Sequence, residues 1–184
     1  SAYYTAGGSG LESRFLNWII NALKGGGTAF VVLPKAMLAR TEKTLKQFVR
    51  QKCFIDSLIY LPTGSFYTTP VETYVLGLRK KSDEHQKQKD PVFCFLTSEI
   101  GETRDVKRDP TKNDLVDMLS EYKRFKANPD GFTPSISQCK AVPVKSFDPK
   151  ERWDMDHLWN IEEKRTLGII DRLQLSVDDI IERF

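Results

Sequence analysis

Three short apolar runs within residues 25–80 constrain this chain more than any other feature. TAFVVL (28–33) follows Gly25, Gly26 and Gly27 and stops at Pro34. FIDSLIYL (54–61) stops at Pro62, and VETYVLGL (71–78) lies between Pro70 and a basic cluster. Runs of this length, rich in β-branched and aromatic residues and closed by Gly or Pro, read as buried or half-buried strands. Between the first two, residues 35–51 set Met37, Leu38, Thr41, Leu45, Phe48 and Val49 at helical spacing. Strand, crossover helix and strand predict a parallel pair. The short link to the third run predicts a reversed strand, or a hairpin, at the sheet edge. The set reads as the far half of an α/β sheet, which requires a first half.

The 184 residues suit one medium domain, or a domain with an extension. With 40% hydrophobic and 29% charged residues, the composition is that of a soluble globular protein. A net charge of +3 permits a nucleic-acid partner without demonstrating one. Cys53, Cys94 and Cys139 are odd in number and form no CxxC pair. They give neither a disulfide framework nor a metal signature, so a reducing cytoplasm is the default location. No apolar run approaches the roughly 20 residues of a membrane span, and no stretch of these residues reads as a signal peptide. The chain opens on Ser1, which fits a piece of a longer protein and fits a processed one equally well.

Residues 1–10 carry Gly7, Gly8 and Gly10 and read as a linker or mobile loop. They are no phosphate loop, because no strand precedes them and no Lys-Ser or Lys-Thr follows. Residues 11–23 read as an amphipathic helix with Trp18 in its core face, closed by Gly25. Thr41 is an alternative internal N-cap within the next helix. The basic side of that helix (Lys35, Arg40, Lys43, Lys46, Arg50, Lys52) is a solvated face or a DNA-backbone contact. The loop PTGSFYTTP (62–70) is the most informative segment. Gly64 permits a turn, and Pro62 and Pro70 restrict the loop ends. In α/β proteins, loops beyond strand ends bind ligands. Phe66 on such a loop either stacks on a planar base or plugs the loop against the core. Glu72 belongs near the loop's end, and Gly77 marks a close approach or a bulge.

Residues 79–90 form a charged, exposed excursion, and VFCFL (92–96) is a strand that extends the hairpin beside 71–78. Residues 113–125 form an amphipathic helix with Asp114 and Asp117 at its positive end. Asn128-Pro129-Asp130-Gly131 is a turn, and Pro143 makes 139–147 an edge strand. Trp153 and Trp159 read as docking anchors, while Asp154, Asp156 and His157 match no metal-ligand spacing. Residues 162–165 and 176–184 are helical stretches. There is no His/Cys cluster, nucleophile elbow or dinucleotide fingerprint, so the residues alone identify no enzyme.

The run LNWIINALKGGGTAFVVLPKAMLAR, followed by FIDSLIYLPTGSFYTTPVETYVLGLRK, resembles the N6-adenine DNA methyltransferases. The likeness is to modification (M) subunits of type I restriction-modification systems and related fused enzymes, and covers residues 15–80 closely. It implies an α/β fold: the C-terminal half of a Rossmann-like methyltransferase sheet, with a mixed α+β extension. Residues 1–126 are then the C-terminal part of the catalytic domain, and 127–184 an extension toward a DNA-recognition domain. The intact parent is expected to use S-adenosylmethionine, to bind double-stranded DNA and to work with a specificity subunit or domain. The cofactor loop and the Asn-Pro-Pro-Phe/Tyr motif of the family are missing here, since Asn128-Pro129 continues as Asp-Gly and follows the signature strands. This chain is therefore expected to hold no catalytic residue, to bind the cofactor at most loosely and to be inactive alone. Its uncovered strand edge favours self-association. Phe66 matches the family's base-contacting aromatic, with Tyr67, Thr68 and Thr69 around the same pocket. The competing readings are a noncatalytic nucleic-acid-binding or protein-interaction α/β domain, and a methyltransferase acting on RNA or protein.

Overall fold

A computed structural model describes residues 10–39, 43–66, 71–102 and 108–167. Helix α1 (Leu11–Ala22) leads into β1 (Thr28–Pro34), and α2 (Lys35–Ala39) and α3 (Lys43–Lys52) follow. Strands β2 (Cys53–Leu61), β3 (Thr73–Lys80) and β4 (Val92–Leu96) come next, then a small hairpin of β5 (Ile100–Glu102) and β6 (Arg108–Asn113). Helix α4 (Asp114–Ala127), β7 (Cys139–Val142) and the short helices α5 (Met155–Leu158) and α6 (Ile161–Thr166) complete the order. Thr41 and residues 176–184 lie outside the described residues. The helix expected over 35–51 is described as two segments, α2 and α3.

Five strands make one open, mixed sheet in the order β1-β3-β2-β4-β7. β3 runs antiparallel to both β1 and β2. This corrects the expected pairing: β1 and β2 point the same way, but β3 lies between them and is not an edge. β4 is likewise no continuation of a hairpin with β3. It pairs in parallel with β2, from Ser57↔Phe93 to Tyr60↔Leu96. Residues 81–91 permit this: β3 ends where β4 begins, and they carry the chain across the start of β2 to its other side. β7 is the edge strand, antiparallel to β4, and Pro143 follows it directly. The carboxyl ends of β1, β2 and β4 therefore share one end of the sheet.

Alternation along each strand divides the core in two. Val31, Leu33, Leu58, Tyr60, Tyr74, Leu76, Leu78, Cys94 and Leu96 pack against α1, α2 and α3. Ile59, Phe93 and Phe95 face the other way, toward Phe125 of α4. β4 is buried at all five positions because both faces are covered. Helix α1 turns its Ser13, Leu16, Asn17 and Ile20 stripe inward. Trp18 is thus not core: it is 60% exposed and stacks on the exposed ring of Phe15 at 5.9 Å. The wide apolar sweep of this helix exceeds what β1 and α3 cover, so its outer half stays in solvent. The left-handed glycine after α1 is Gly26 (φ 77°), one position later than expected. Trp153 and Trp159 are sealed in the first core, as anchors. The Trp153 amide donates to the Leu38 carbonyl at 3.1 Å, and the ammonium of buried Lys46 donates to the Glu151 carbonyl at 2.7 Å.

The charged excursion is tied down along its length: the Lys81 amide and ammonium donate to the Lys52 and Arg50 carbonyls, Glu84 accepts from Gln51 and pairs with Lys52, and Gln88 reaches β2. Gln88 Nε2 donates to the Ile55 carbonyl at 2.8 Å, and the Ile55 amide donates to Gln88 Oε1 at 3.0 Å. This side chain satisfies the backbone of β2 just before β4 starts to pair with it. Among the described residues, no strand pairs with the outer edge of β1.

Candidate functional site

The shared end of β1, β2 and β4 collects the candidate site. β2 ends at Leu61, and Pro62 opens a tight turn. Ser65 donates to the Pro62 carbonyl through both its amide (3.3 Å) and its hydroxyl (2.7 Å). Gly64 sits within this turn at φ 85°, a conformation costly for any residue with a Cβ. The turn delivers Phe66 at 38% exposure, so its ring is not sealed in the helix–sheet core. Tyr67, Thr68 and Thr69 lie outside the described residues.

The chain returns at Glu72, and three groups hold that residue. Lys35, first residue of α2, approaches Glu72 Oε2 with its ammonium at 2.6 Å. The Lys35 amide donates to the Glu72 carbonyl at 2.9 Å. From the other side, the Tyr60 hydroxyl donates to Glu72 Oε1 at 2.8 Å. Glu72 thereby ties the ends of β1 and β2 across the start of β3. Sequence reasoning placed Glu72 near the loop but missed Lys35 and Tyr60. The available signal was phase: Tyr60 alternates with Leu58 two residues before the loop, and Lys35 directly follows the proline that ends β1.

Next to this end, Asp114 organises the turn after β4. Its Oδ2 accepts the Ser98 amide and hydroxyl, both at 2.7 Å, and the Glu99 amide at 3.0 Å. Asn113 caps α4 by accepting the Leu115 amide at 3.0 Å. The β5–β6 hairpin leaves the sheet at the same end as Phe66.

The described residues here supply an aromatic ring, a neutralised ion pair and hydroxyls. They do not assemble a cradle for a nucleoside cofactor. Gly64, a left-handed glycine, is used by the Phe66 turn, and the Glu72 carboxylate is engaged by Lys35 and Tyr60. His85 and His157 are both exposed and lie away from this end. Burial pushes the Cys53 thiol up to about 11 and Cys139 up to about 12, and raises buried Cys94 well above the ordinary range. None of the three is poised as a nucleophile. A separate open cavity of about 480 Å³ borders β7, between Phe132, Val142, Pro143 and Leu158. Lys140 on its wall is already held by Glu163 at 2.8 Å and by the Trp159 ring.

A model of the N-6 DNA methylase family matches residues 5–147, more than three-quarters of the chain. The chain belongs to the N-6 DNA methylase family. It is 25% identical over 159 residues to the MpnII type I restriction enzyme methylase subunit of Mycoplasma pneumoniae, covering 85% of the chain and 27% of that protein. It is 37% identical over 68 residues to the EcoKI methylase subunit of Escherichia coli, covering 36% of the chain and 13% of that protein. It spans about a quarter or less of the length of these relatives. Among solved structures, the type I restriction-modification methyltransferase subunit of Streptococcus thermophilus aligns with a TM-score of 0.58 at 16% identity, over 82% of this chain and 32% of that protein. That likeness speaks to the fold. The family region runs past residue 126 to include β7, which completes the sheet beside β4. No described helix is long and apolar enough to cross a membrane.

Proposed function

We propose that this chain is the trailing part of the catalytic domain of an adenine-specific DNA methyltransferase of the type I modification-subunit kind, and that Phe66 contacts the target base. That domain continues past residue 126 through β7, and the residues after β7 lead toward DNA recognition. The reaction transfers a methyl group from S-adenosylmethionine to the N6 of adenine, with the cofactor held by residues outside this chain. Double-stranded DNA and a specificity subunit or domain are the partners of the intact protein, and the chain alone is inactive.

One observation carries the reading: a half-exposed aromatic on a hydrogen-bonded turn stands at the sheet end where α/β proteins bind ligands. A base leaving the duplex exposes a flat face, and a ring presented on a fixed turn stacks on it with little ordering cost. Tyr67, Thr68 and Thr69 belong to the same pocket in this proposal.

Phe66→Ala in the full-length methylase tests it. Methylation should fall by roughly five- to 150-fold, in keeping with stacking worth about 1–3 kcal/mol, while the melting temperature of the protein stays unchanged. Undiminished methylation would remove Phe66 from the base site. DNA binding without any methylation by the full-length protein would favour a noncatalytic nucleic-acid-binding domain.

A further inference from the structure

We infer that Glu72 is a positioning residue for the base-contacting loop, acting through Lys35 and Tyr60. The inference deepens the base-binding reading of Phe66 and rests on it.

The connection between β2 and β3 leaves at Leu61 and re-enters at Thr73, which are direct partners across the two strands. At its departure the turn at Pro62–Ser65 is internally bonded. At its return the only carboxylate is Glu72, and it is fastened on both sides. Tyr60, which is 6% exposed and faces the Tyr74 ring edge-on at 5.5 Å, fixes one oxygen. Lys35 fixes the other oxygen and the backbone carbonyl. Both donors sit at the ends of rigid elements, so Glu72 registers the loop against β1 and β2 together.

Magnitudes separate this role from one in global stability. The Lys35 and Glu72 side chains are 28% and 30% exposed, and a pair this open to water adds little to folding. A loop that must hold a ring against a base depends instead on small displacements, since a misplacement of about 1 Å can cost about a hundredfold in rate. The clamp is thus expected to govern where Phe66 sits, and scarcely whether the sheet folds.

The test joins two readouts on Glu72→Ala, Glu72→Gln and Tyr60→Phe. In the 184-residue chain, amide hydrogen exchange is followed by residue. Glu72→Ala should speed exchange at Ser65 and Phe66 about tenfold, with β2 and β3 interiors unchanged. Glu72→Gln, which keeps an acceptor for Tyr60, should recover part of the protection. Unchanged exchange in Glu72→Ala overturns the clamp whatever the protein does. In the full-length methylase, a duplex carrying 2-aminopurine at the target position reports base capture by fluorescence. Glu72→Ala should lower that signal and raise KM for DNA, with Glu72→Gln and Tyr60→Phe intermediate. Faster exchange with full base capture, while Phe66→Ala abolishes capture, overturns the positioning role and leaves the Phe66 reading intact. If Phe66→Ala also leaves capture untouched, the base-binding reading fails and takes this inference with it.

Discussion

Gly77 of β3 lies directly opposite Ser57 of β2, and a methyl group on Gly77 would stand well inside van der Waals distance of the Ser57 hydroxyl. The register of β2 slips here, between Ile55 and Ser57, and the extra residue is Asp56. The bulge frees the Asp56 carboxylate to meet Arg79 through two hydrogen bonds of 3.1 Å. It also turns Ser57 inward, where the hydroxyl is buried without a hydrogen-bond partner. Gly77→Ala should cost about 2 kcal/mol or more, the scale of overpacking in a closed core. Ser57→Ala should be neutral or stabilising, because it removes an unsatisfied buried group. The double variant should recover most of the loss. Urea titrations of the four proteins check this, and additive losses would show that the clash is not with Ser57.

Tyr74 provides a second long-range tie. Its hydroxyl accepts the Met155 amide at 3.0 Å, with both residues buried, and so joins β3 to the segment holding Trp153. Tyr74→Phe leaves that amide short of its acceptor, at a cost of about 1–3 kcal/mol. The tryptophan emission should shift red at lower denaturant than the loss of sheet circular dichroism. Coincident transitions would mean that residues 148–159 gain nothing from Tyr74.

Much of this fold was legible in the residues. Apolar runs bounded by Gly and Pro gave β1, β2 and β3, Pro143 gave the β7 edge, and the paired tryptophans gave the docked tail. Strand order was not legible, because period-two alternation says which face a residue takes and nothing about which strand lies beside it. β3 inserts between β1 and β2 without altering any local pattern. Trp18 misled for a related reason: α1 is apolar on more sides than β1 and α3 cover. The place of Phe66 on a turn just beyond β2 was readable from the Pro-Gly framing of its loop. The link from Tyr60 to Glu72 and Lys35 was not, since it depends on β3 lying in the middle.

The thiols give a third prediction. Burial lifts Cys53 to about 11 and Cys139 to about 12, and raises Cys94 well above its ordinary value, so each stays protonated at pH 8. All three are free and buried. An aromatic disulfide reagent should titrate none of them in the native chain, and all three in denaturant. Fast labelling of one thiol at pH 8 without denaturant would contradict the burial described here.

Acid sensitivity should centre on Glu121. Burial works to raise its pKa, but hydrogen bonds from Ser135 and an ion pair with Arg124 outweigh it and hold the carboxyl below its ordinary value. A depressed folded-state pKa contributes stability above the unfolded value of roughly 4.3, and that contribution is lost as pH falls through the folded value. Glu121→Gln should therefore be less stable than the parent at pH 7, by about 1–3 kcal/mol. The gap should narrow progressively as pH falls below about 4.3, the unfolded value. A gap independent of pH between 7 and 3 would show that the charge of Glu121 is not what holds the Ser135 turn.

The open edge of β1 yields the last prediction. Phe30 and Val32 are 59% and 49% exposed on one face beside that edge. Leu11, Phe15 and Trp18 are 80%, 57% and 60% exposed on α1, over the other. Unpaired backbone flanked by apolar side chains is a template for another strand. On the proposal that this chain is the trailing part of a catalytic domain, that strand would come from the rest of the domain. The chain alone should then self-associate with rising concentration, as followed by sedimentation. Val32→Lys together with Trp18→Lys should give a monomer with unchanged circular dichroism, because both side chains already stand in water and a charge beside the edge opposes pairing. A parent chain that stays monomeric throughout the micromolar range would show the edge to be protected already.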